Sequence, residues 1–371
     1  MPPLTVMIKP VSSLCNMRCA YCFYADVSRN RRISNFGTMS EQTLETVVRK
    51  AFVYADGCVS FMFQGGEPTL AGLDFYRLLM RFQKRYNARD LPVTNALQTN
   101  GYALDDAFAA FFAEHRFLVG VSLDGTREIH DALRKDAYGK GTYDRVLNGI
   151  ACLKQHGAEY NILCVVNALV ACRARQVFEN LRAHTFLQFI PCLDSLDNQS
   201  QLYSLSPEDY GNFLIETFDL YARAFCSAHP VSVRDFDAYV GMLCGHPPGS
   251  CAQTGACAAY ALVESDGGVY PCDFYVLDEH RLGDIHDTSF LRLFQAHKMQ
   301  AFLESSHSVP PECGACGYYS LCRGGCRRYR EPFVAGAPSL NRFCSGYKRF
   351  FAHAGPTLRT MAMARNRMGW G

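Results

Sequence analysis

"SSLCNMRCAYCFYAD", residues 12–26, places three cysteines, Cys15, Cys19 and Cys22, within eight residues. A structural zinc site closes with four ligands, and so does a cubane iron–sulfur cluster. A cluster held by only three thiolates has one iron without a protein ligand. That iron can bind a cofactor or substrate directly, as a catalytic zinc keeps an open position. The competing reading is a zinc knuckle whose fourth ligand lies elsewhere.

The rest of the chain bounds this choice. Its 371 residues are 49% hydrophobic, enough for a sizeable core, and its net charge is only +2. No Lys/Arg block provides the electrostatic footprint of a nucleic-acid or acidic-membrane partner. "MPPLTVMIKP" lacks the basic start and apolar run of a signal peptide, and no apolar run reaches membrane-spanning length. The expectation is a soluble, cytoplasmic protein. Eighteen cysteines in such a chain point to metal binding rather than disulfides. Eight lie between 251 and 344: Cys251, Cys257, Cys272, Cys313, Cys316, Cys322, Cys326 and Cys344. The scattered Cys58, Cys152, Cys164, Cys172, Cys192, Cys226 and Cys244 read as small hydrophobes.

Six strand-like segments alternate with helical ones: 5–10, 59–64, 93–98, 118–123, 160–167 and 186–191. In "TMSEQTLETVVRKAF", Thr38 and Glu41 have capping-box spacing, and Leu44, Val47, Val48, Ala51 and Phe52 form one apolar face. Gly157 suits a helix end, and Ser206–Pro207 suits a helix start near 206–225. Six β–α units in series imply parallel strands with right-handed crossovers. Beyond about 235 the chain turns Gly-, Cys- and Pro-rich, with a hairpin expected around Asp266–Gly267–Gly268. A region so poor in regular core would take metal clusters as staples. The expected division is a barrel over 1–234, a cluster-stapled part over 235–347, and a helical tail over 348–371.

In β/α barrels, chemistry sits on loops leaving the C-terminal ends of strands. The three cysteines follow the first strand, "QGGEPT" (64–69) the second, "QTNG" (98–101) the third and "SLDG" (122–125) the fourth. Gly65 and Gly66 let backbone approach a ligand, and Glu67 can accept from an ammonium.

The C-x3-C-x2-C run with Tyr21 before its last cysteine, "GGEPT", and "SLDGTREIHDALRK" together resemble the radical SAM superfamily. The resemblance implies S-adenosylmethionine on the open iron, and a one-electron cleavage that makes a 5′-deoxyadenosyl radical. It implies a partial (β/α)6 TIM-like barrel, open enough on one side to admit a peptide. Tyr21, Gly66, Glu67, Ser122, Arg134 and Leu193 are the cofactor contacts it implies. A helix-capping Ser122 and a solvated Arg134 are the plainer alternatives.

The later cysteines run C-x5-C-x14-C and then C-x2-C-x5-C-x3-C-x17-C, which two zinc ribbons would satisfy equally well. "ECGACGYYSLCRGGCRRYR" resembles the twin-cluster SPASM domain. That resemblance implies two auxiliary 4Fe-4S clusters, three clusters in all. One would take Cys251, Cys257, Cys272 and Cys326, the other Cys313, Cys316, Cys322 and Cys344. The stretches "MIKPVSSLCNMRCAYCFYADVSRNR", "FMFQGGEPTLAGLDFY" and "ESDGGVYPCDFYVLDEHRLGDI" are similar to those of anaerobic sulfatase-maturating enzymes. The implied activity oxidises a Cys or Ser in a C/S-x-P/A-x-R motif of a sulfatase to Cα-formylglycine. An external one-electron reductant is implied as well. Asp273, beside Cys272, is the implied base; a backbone-bonded turn Asp is the plainer reading. The rivals are another SPASM enzyme forming thioether or carbon–carbon crosslinks, and a zinc-stapled binding module.

Overall fold

The computed structural model describes residues 2–197, 199–225, 227, 229–334 and 337–367. Cys226 and the end of the expected tail lie outside them. Seven parallel strands follow in chain order, β1 (Leu4–Ile8), β2 (Val59–Phe63), β3 (Val93–Thr99), β4 (Phe117–Ser122), β5 (Tyr160–Val166), β6 (Phe186–Pro191) and β7 (Ser232–Val233). The first six match the β–α series read from the sequence. β7 has only two residues, too short for a periodic signal, and it pairs with Phe186 and Leu187 of β6.

The sheet does not stop at β1. The hairpin β8 (Ala261–Val263) and β9 (Gly268–Tyr270) turns at Asp266–Gly267, and β8 pairs in parallel with β1. A short β10 (Gly283–Asp284) closes the order β10-β9-β8-β1-β2-β3-β4-β5-β6-β7. One continuous sheet therefore crosses residue 235, and the turn after β9 reaches the helix that follows the β1 loop, where Tyr24 Oη donates to Asp273 Oδ2 at 2.7 Å. The C-terminal helix starts at Cys344 and runs to Arg367, packed on the Pro207–Phe225 helix. Their backbones approach at Gly211 and Gly346, where an added Cβ on Gly211 would sit 2.8 Å from Gly346 Cα.

Local signals behave as physical chemistry dictates, with one difference. Gly157 ends its helix in the left-handed region (φ 69°), and Ser206 Oγ accepts from Asp209 N at 3.0 Å. The Glu41–Tyr54 helix, however, is capped by Ser40, not Thr38: Ser40 Oγ accepts from Thr43 N at 3.0 Å. Ser40 has the extended backbone a cap needs, so helical geometry begins at Glu41, two residues later than a Thr38 cap would start it. The apolar face Leu44, Val47, Val48, Ala51 and Phe52 is buried as its spacing requires. It covers β1 and joins a core that includes Phe61, Phe63 and Phe117, each worth about 1.5–3 kcal/mol in burial. No helix of the described residues is long and apolar enough to cross a membrane.

Candidate active site

The C-terminal ends of the parallel strands converge on one site, and the loop after β1 is its floor. That loop is strapped to the segment following the Arg127–Leu133 helix: Arg18 N donates to Lys135 O at 2.7 Å and Ala20 N to Leu133 O at 2.9 Å. It is also fastened to the loop after β2, where Glu67 N donates to Leu14 O at 2.7 Å. Gly66 permits this approach: at φ +61°, its Cβ would lie 2.3 Å from Leu14 O. Gly65 (φ +93°) accommodates the Lys9 stem in the same way, with Cε 2.5 Å from a hypothetical Cβ.

Cys15, Cys19 and Cys22 share one neighbourhood: Cys19 and Cys22 oppose ionisation of Cys15, and Cys22 opposes that of Cys19. Burial first of all pushes Cys15 up to about 12 and Cys19 up to about 11. Such thiols ionise at neutral pH only when a metal centre takes the proton's place. Cys15 Sγ accepts from Met17 N at 3.4 Å and from Asn100 Nδ2 at 3.6 Å, contacts that place donors on a sulfur.

Glu67 is fully buried. Its Oε1 takes Thr69 N, Thr69 Oγ1 and Thr99 Oγ1 at 3.1, 2.7 and 2.7 Å, and its Oε2 takes Asn100 N at 2.7 Å. Burial raises its pKa, and these four donors pull it back. The carboxylate thus ties the loops after β2 and β3 together, with one acceptor position of Oε2 remaining for an ammonium.

Three further groups form a buried cluster above the cysteine loop. Tyr21 donates to Asp124 Oδ2 and accepts from Arg134 Nη1 at 2.8 Å. Asp124 Oδ1 accepts from Val165 N of β5 at 3.0 Å, and Arg134 stands 3.9 Å from Asp124 Oδ2. His130 sits behind them, accepting from Asp124 N through Nδ1 and meeting Thr142 Oγ1 at 3.0 Å through Nε2. Thr142 uses its own proton on Arg134 O at 2.9 Å, so Nε2 carries the imidazole hydrogen. Ser122 Oγ accepts from Gln98 Nε2 at 3.1 Å. Arg134 Nε is buried with no partner. Leu193 lies on the wall of a cavity of about 340 Å³ shared with Asp194, Tyr275, Arg327, Glu331 and Phe333.

Asp273 approaches the site from the opposite side, on the turn after β9. Its Oδ2 accepts from Tyr24 Oη at 2.7 Å and Gln64 Nε2 at 2.6 Å, while Oδ1 is buried without a partner. Burial raises its pKa; the Tyr24 hydroxyl, Lys9 and Gln64 oppose that shift. Behind it Glu264 accepts ion pairs from Lys9 (3.3 Å) and Arg31 (2.7 Å), all three almost fully buried. Lys9 Nζ also stands 5.4 Å from the Tyr24 ring centroid.

The eight later cysteines separate into two neighbourhoods. Cys326 interacts with Cys251, Cys257 and Cys272, whereas Cys322 interacts with Cys313, Cys316 and Cys344. The second set lines a small cavity together with Tyr347 and Phe351. Burial pushes Cys326 up to about 12 and Cys322 to about 11. Among the described residues, the cysteines are free of disulfides, and no three His, Cys, Asp or Glu side chains close on a single ion.

Comparison with known proteins agrees with this layout. Residues 10–170 match the radical SAM superfamily, and residues 255–317 match SPASM, an iron-sulfur cluster-binding domain. A cysteine-type anaerobic sulfatase-maturating enzyme of Clostridium novyi is 45% identical over 95% of both chains. The chain belongs to the anaerobic sulfatase-maturating enzymes. A serine-type enzyme of Bacteroides thetaiotaomicron is 32% identical, covering 97% of this chain and 91% of its own. A solved structure of anSMEcpe with bound AdoMet and Cp18Cys peptide superposes with a TM-score of 0.93. It is 42% identical and covers 98% of this chain and 99% of its own. As a member of this family the enzyme is a radical SAM oxidoreductase, with a SAM-binding 4Fe-4S cluster and two auxiliary clusters. The residues fit these groups. Disulfide-free cysteines gather in one set of three and two of four, and the orphaned Arg134 Nε offers a donor for a carboxylate.

Tyr24, Gln64, Asp124, Lys9, Arg31 and Glu264 were not singled out from the sequence. Tyr24, Gln64 and Asp124 lie within stretches already marked, "CFYAD", "QGGEPT" and "SLDG". Tyr24 meets a carboxylate 249 positions away, and no local spacing encodes that.

Proposed function

We propose that this enzyme oxidises the Cβ of a cysteine in a C-x-P-x-R segment of a sulfatase to the aldehyde of Cα-formylglycine. The cysteine preference rests on identity: 43–45% to cysteine-type relatives against 31–32% to serine-type ones. The work takes place in the cytoplasm with an external one-electron reductant. Residues 1–234 form the barrel unit, 235–347 the auxiliary-cluster unit and 348–371 the tail.

Bound S-adenosylmethionine and its cluster supply a hydrogen-abstracting radical, and the auxiliary clusters supply an electron sink. Cys15, Cys19 and Cys22 hold the first cluster. Cys251, Cys257, Cys272 and Cys326 hold one auxiliary cluster, and Cys313, Cys316, Cys322 and Cys344 hold the other. Arg134 and Ser122 receive the cofactor carboxylate, while Tyr21 and Asp124 fix the Arg134 guanidinium. Gly66 and Glu67 shape the edge that meets its ammonium, and Leu193 covers its apolar side. The cavity next to Leu193 takes the flanking peptide.

Asp273 accepts the proton that the oxidised substrate must lose. Its unpartnered Oδ1 is the observation that carries this reading: one carboxylate oxygen is held by Tyr24 and Gln64, and the other is kept for the substrate. The aldehyde follows when water hydrolyses the resulting thioaldehyde. The decisive assay incubates reduced, reconstituted enzyme with S-adenosylmethionine and a C-x-P-x-R peptide, then weighs the product. A loss of about 18 mass units supports aldehyde formation. A loss of about two with sulfur retained indicates a crosslink and overturns the proposal.

A further inference from the structure

Arg330 is among the largest side chains with no exposure to solvent. It lies on the short 3-10 turn Arg327–Arg330, just after Cys326. Its Nη2 donates to Gly255 O at 3.1 Å and Ser306 O at 2.9 Å, and its Nη1 to Ser308 O at 3.1 Å. Its Nε is buried and unpartnered. Three neutral carbonyls satisfy hydrogen bonds but supply no counter-charge. No Asp or Glu among the described residues forms an ion pair with it, and its neighbour Arg327 adds a second cation.

A guanidinium stays charged in a protein. Burying one without an anion costs several kcal/mol, so such a charge persists only where a counter-ion completes the site. The groups around Arg330 show where that ion belongs. Its electrostatic neighbours are the sulfurs of Cys257 and Cys326 from one set and Cys313 from the other. Gly255, which takes Nη2, lies two residues before Cys257, whose N donates to Ser306 Oγ at 2.8 Å, and an added Cβ on Gly324, between Cys322 and Cys326, would lie 3.8 Å from Arg330 Nη1. One buried cation therefore stands between the loops that carry the two four-cysteine sets.

We propose that Arg330 is a positioning residue for electron transfer, whose buried charge raises the reduction potential of both auxiliary clusters so that they accept the substrate's electron. After hydrogen abstraction the substrate sheds one proton, to Asp273, and one electron, to the auxiliary cluster beside it. That electron adds a negative charge between the thiolates, and a fixed cation nearby stabilises the reduced state more than the oxidised one. The inference rests on the ligand sets of the proposed function.

The test uses full-length protein whose Cys15, Cys19 and Cys22 are replaced by Ala, so that only auxiliary clusters give signals. Iron content and an EPR-monitored redox titration compare this background with R330Q and R330K. R330Q should load iron and lower the reduced-to-oxidised ratio at a given potential at least tenfold, about 59 mV for one electron. R330K should titrate near the parent. R330Q with full iron and an unchanged midpoint overturns the inference. If R330Q stays iron-poor, R330K decides: restored loading with a parent-like midpoint supports the charge. A Lys variant that is equally iron-poor, or loaded with a shifted midpoint, leaves Arg330 a carbonyl staple and overturns it. A parent protein without auxiliary signals overturns the ligand assignment instead.

Discussion

Tyr24 Oη donates to Asp273 Oδ2 at 2.7 Å and so joins the helix after the first cysteine loop to the turn after Cys272. With Gln64 on the same oxygen, this contact leaves Oδ1 buried and without a partner. Asp273→Asn keeps the shape and removes the base. Hydrogen abstraction precedes proton loss, so 5′-deoxyadenosine should still form while formylglycine falls by about 10²-fold or more. Iron content should not change, because the proposed ligand is the neighbouring Cys272 and not Asp273. A parallel fall of both products, or of neither, would assign Asp273 to the turn alone.

Replacing Cys15, Cys19 and Cys22 by Ala should abolish cleavage of S-adenosylmethionine, since no open iron remains. About eight of roughly twelve irons should persist, because the proposed ligands of the two later clusters all lie beyond residue 250. Protein devoid of iron would contradict the independence of these sets.

The barrel was legible because its strands are short apolar runs bounded by turn residues, as in "VSFMF" and "YNILCVV". The grouping of the cysteines was legible because eleven of them cluster in two stretches at metal-ligand spacing. Glu67 lay in plain view, but its four donors come from Thr69, Thr99 and Asn100, residues brought together only when β2 and β3 pair. Glu264 opens a stretch quoted for its resemblance, but nothing in that stretch marked it as an ion-pair partner. Its partners Lys9 and Arg31 are distant in sequence, and a buried ion pair looks like surface charge until the chain folds. The pairing of β8 with β1 was equally hidden, since a three-residue strand carries no periodicity.

His130 predicts an acid-sensitive element behind the cofactor site. Burial, with Arg134 adding to it, lowers its pKa to about 2 from an ordinary 6.5. The unfolded chain therefore binds a proton below pH 6.5 that the folded chain refuses. Stability from this group is complete above 6.5 and declines as pH falls, by about 2 kcal/mol at pH 5. In His130→Asn this titration is gone. The stability gap between wild type and variant, from anaerobic urea unfolding, should shrink by about that amount between pH 7 and pH 5. A constant gap would mean that His130 becomes protonated inside the fold.

Cys326 is four residues from Cys322, yet its sulfur neighbours are Cys251, Cys257 and Cys272. The chain turns sharply between them: Arg323 (φ 48°), Gly324 and Gly325 all occupy the left-handed region. At Gly325 an added Cβ would sit 2.5 Å from Asn341 Nδ2, which holds Gly324 O at 3.1 Å. This turn sends the two cysteines to different sets. Cys326→Ala and Cys272→Ala should therefore lose the same EPR signal and about four irons each. Cys322→Ala, despite its nearness along the chain, should lose the other signal and leave the first intact. If Cys326→Ala and Cys322→Ala remove one common signal while Cys272→Ala removes another, the crossing is wrong. Asn341→Ala offers an intermediate: with the turn loosened but every thiol present, both clusters should assemble and both should release iron faster to a chelator.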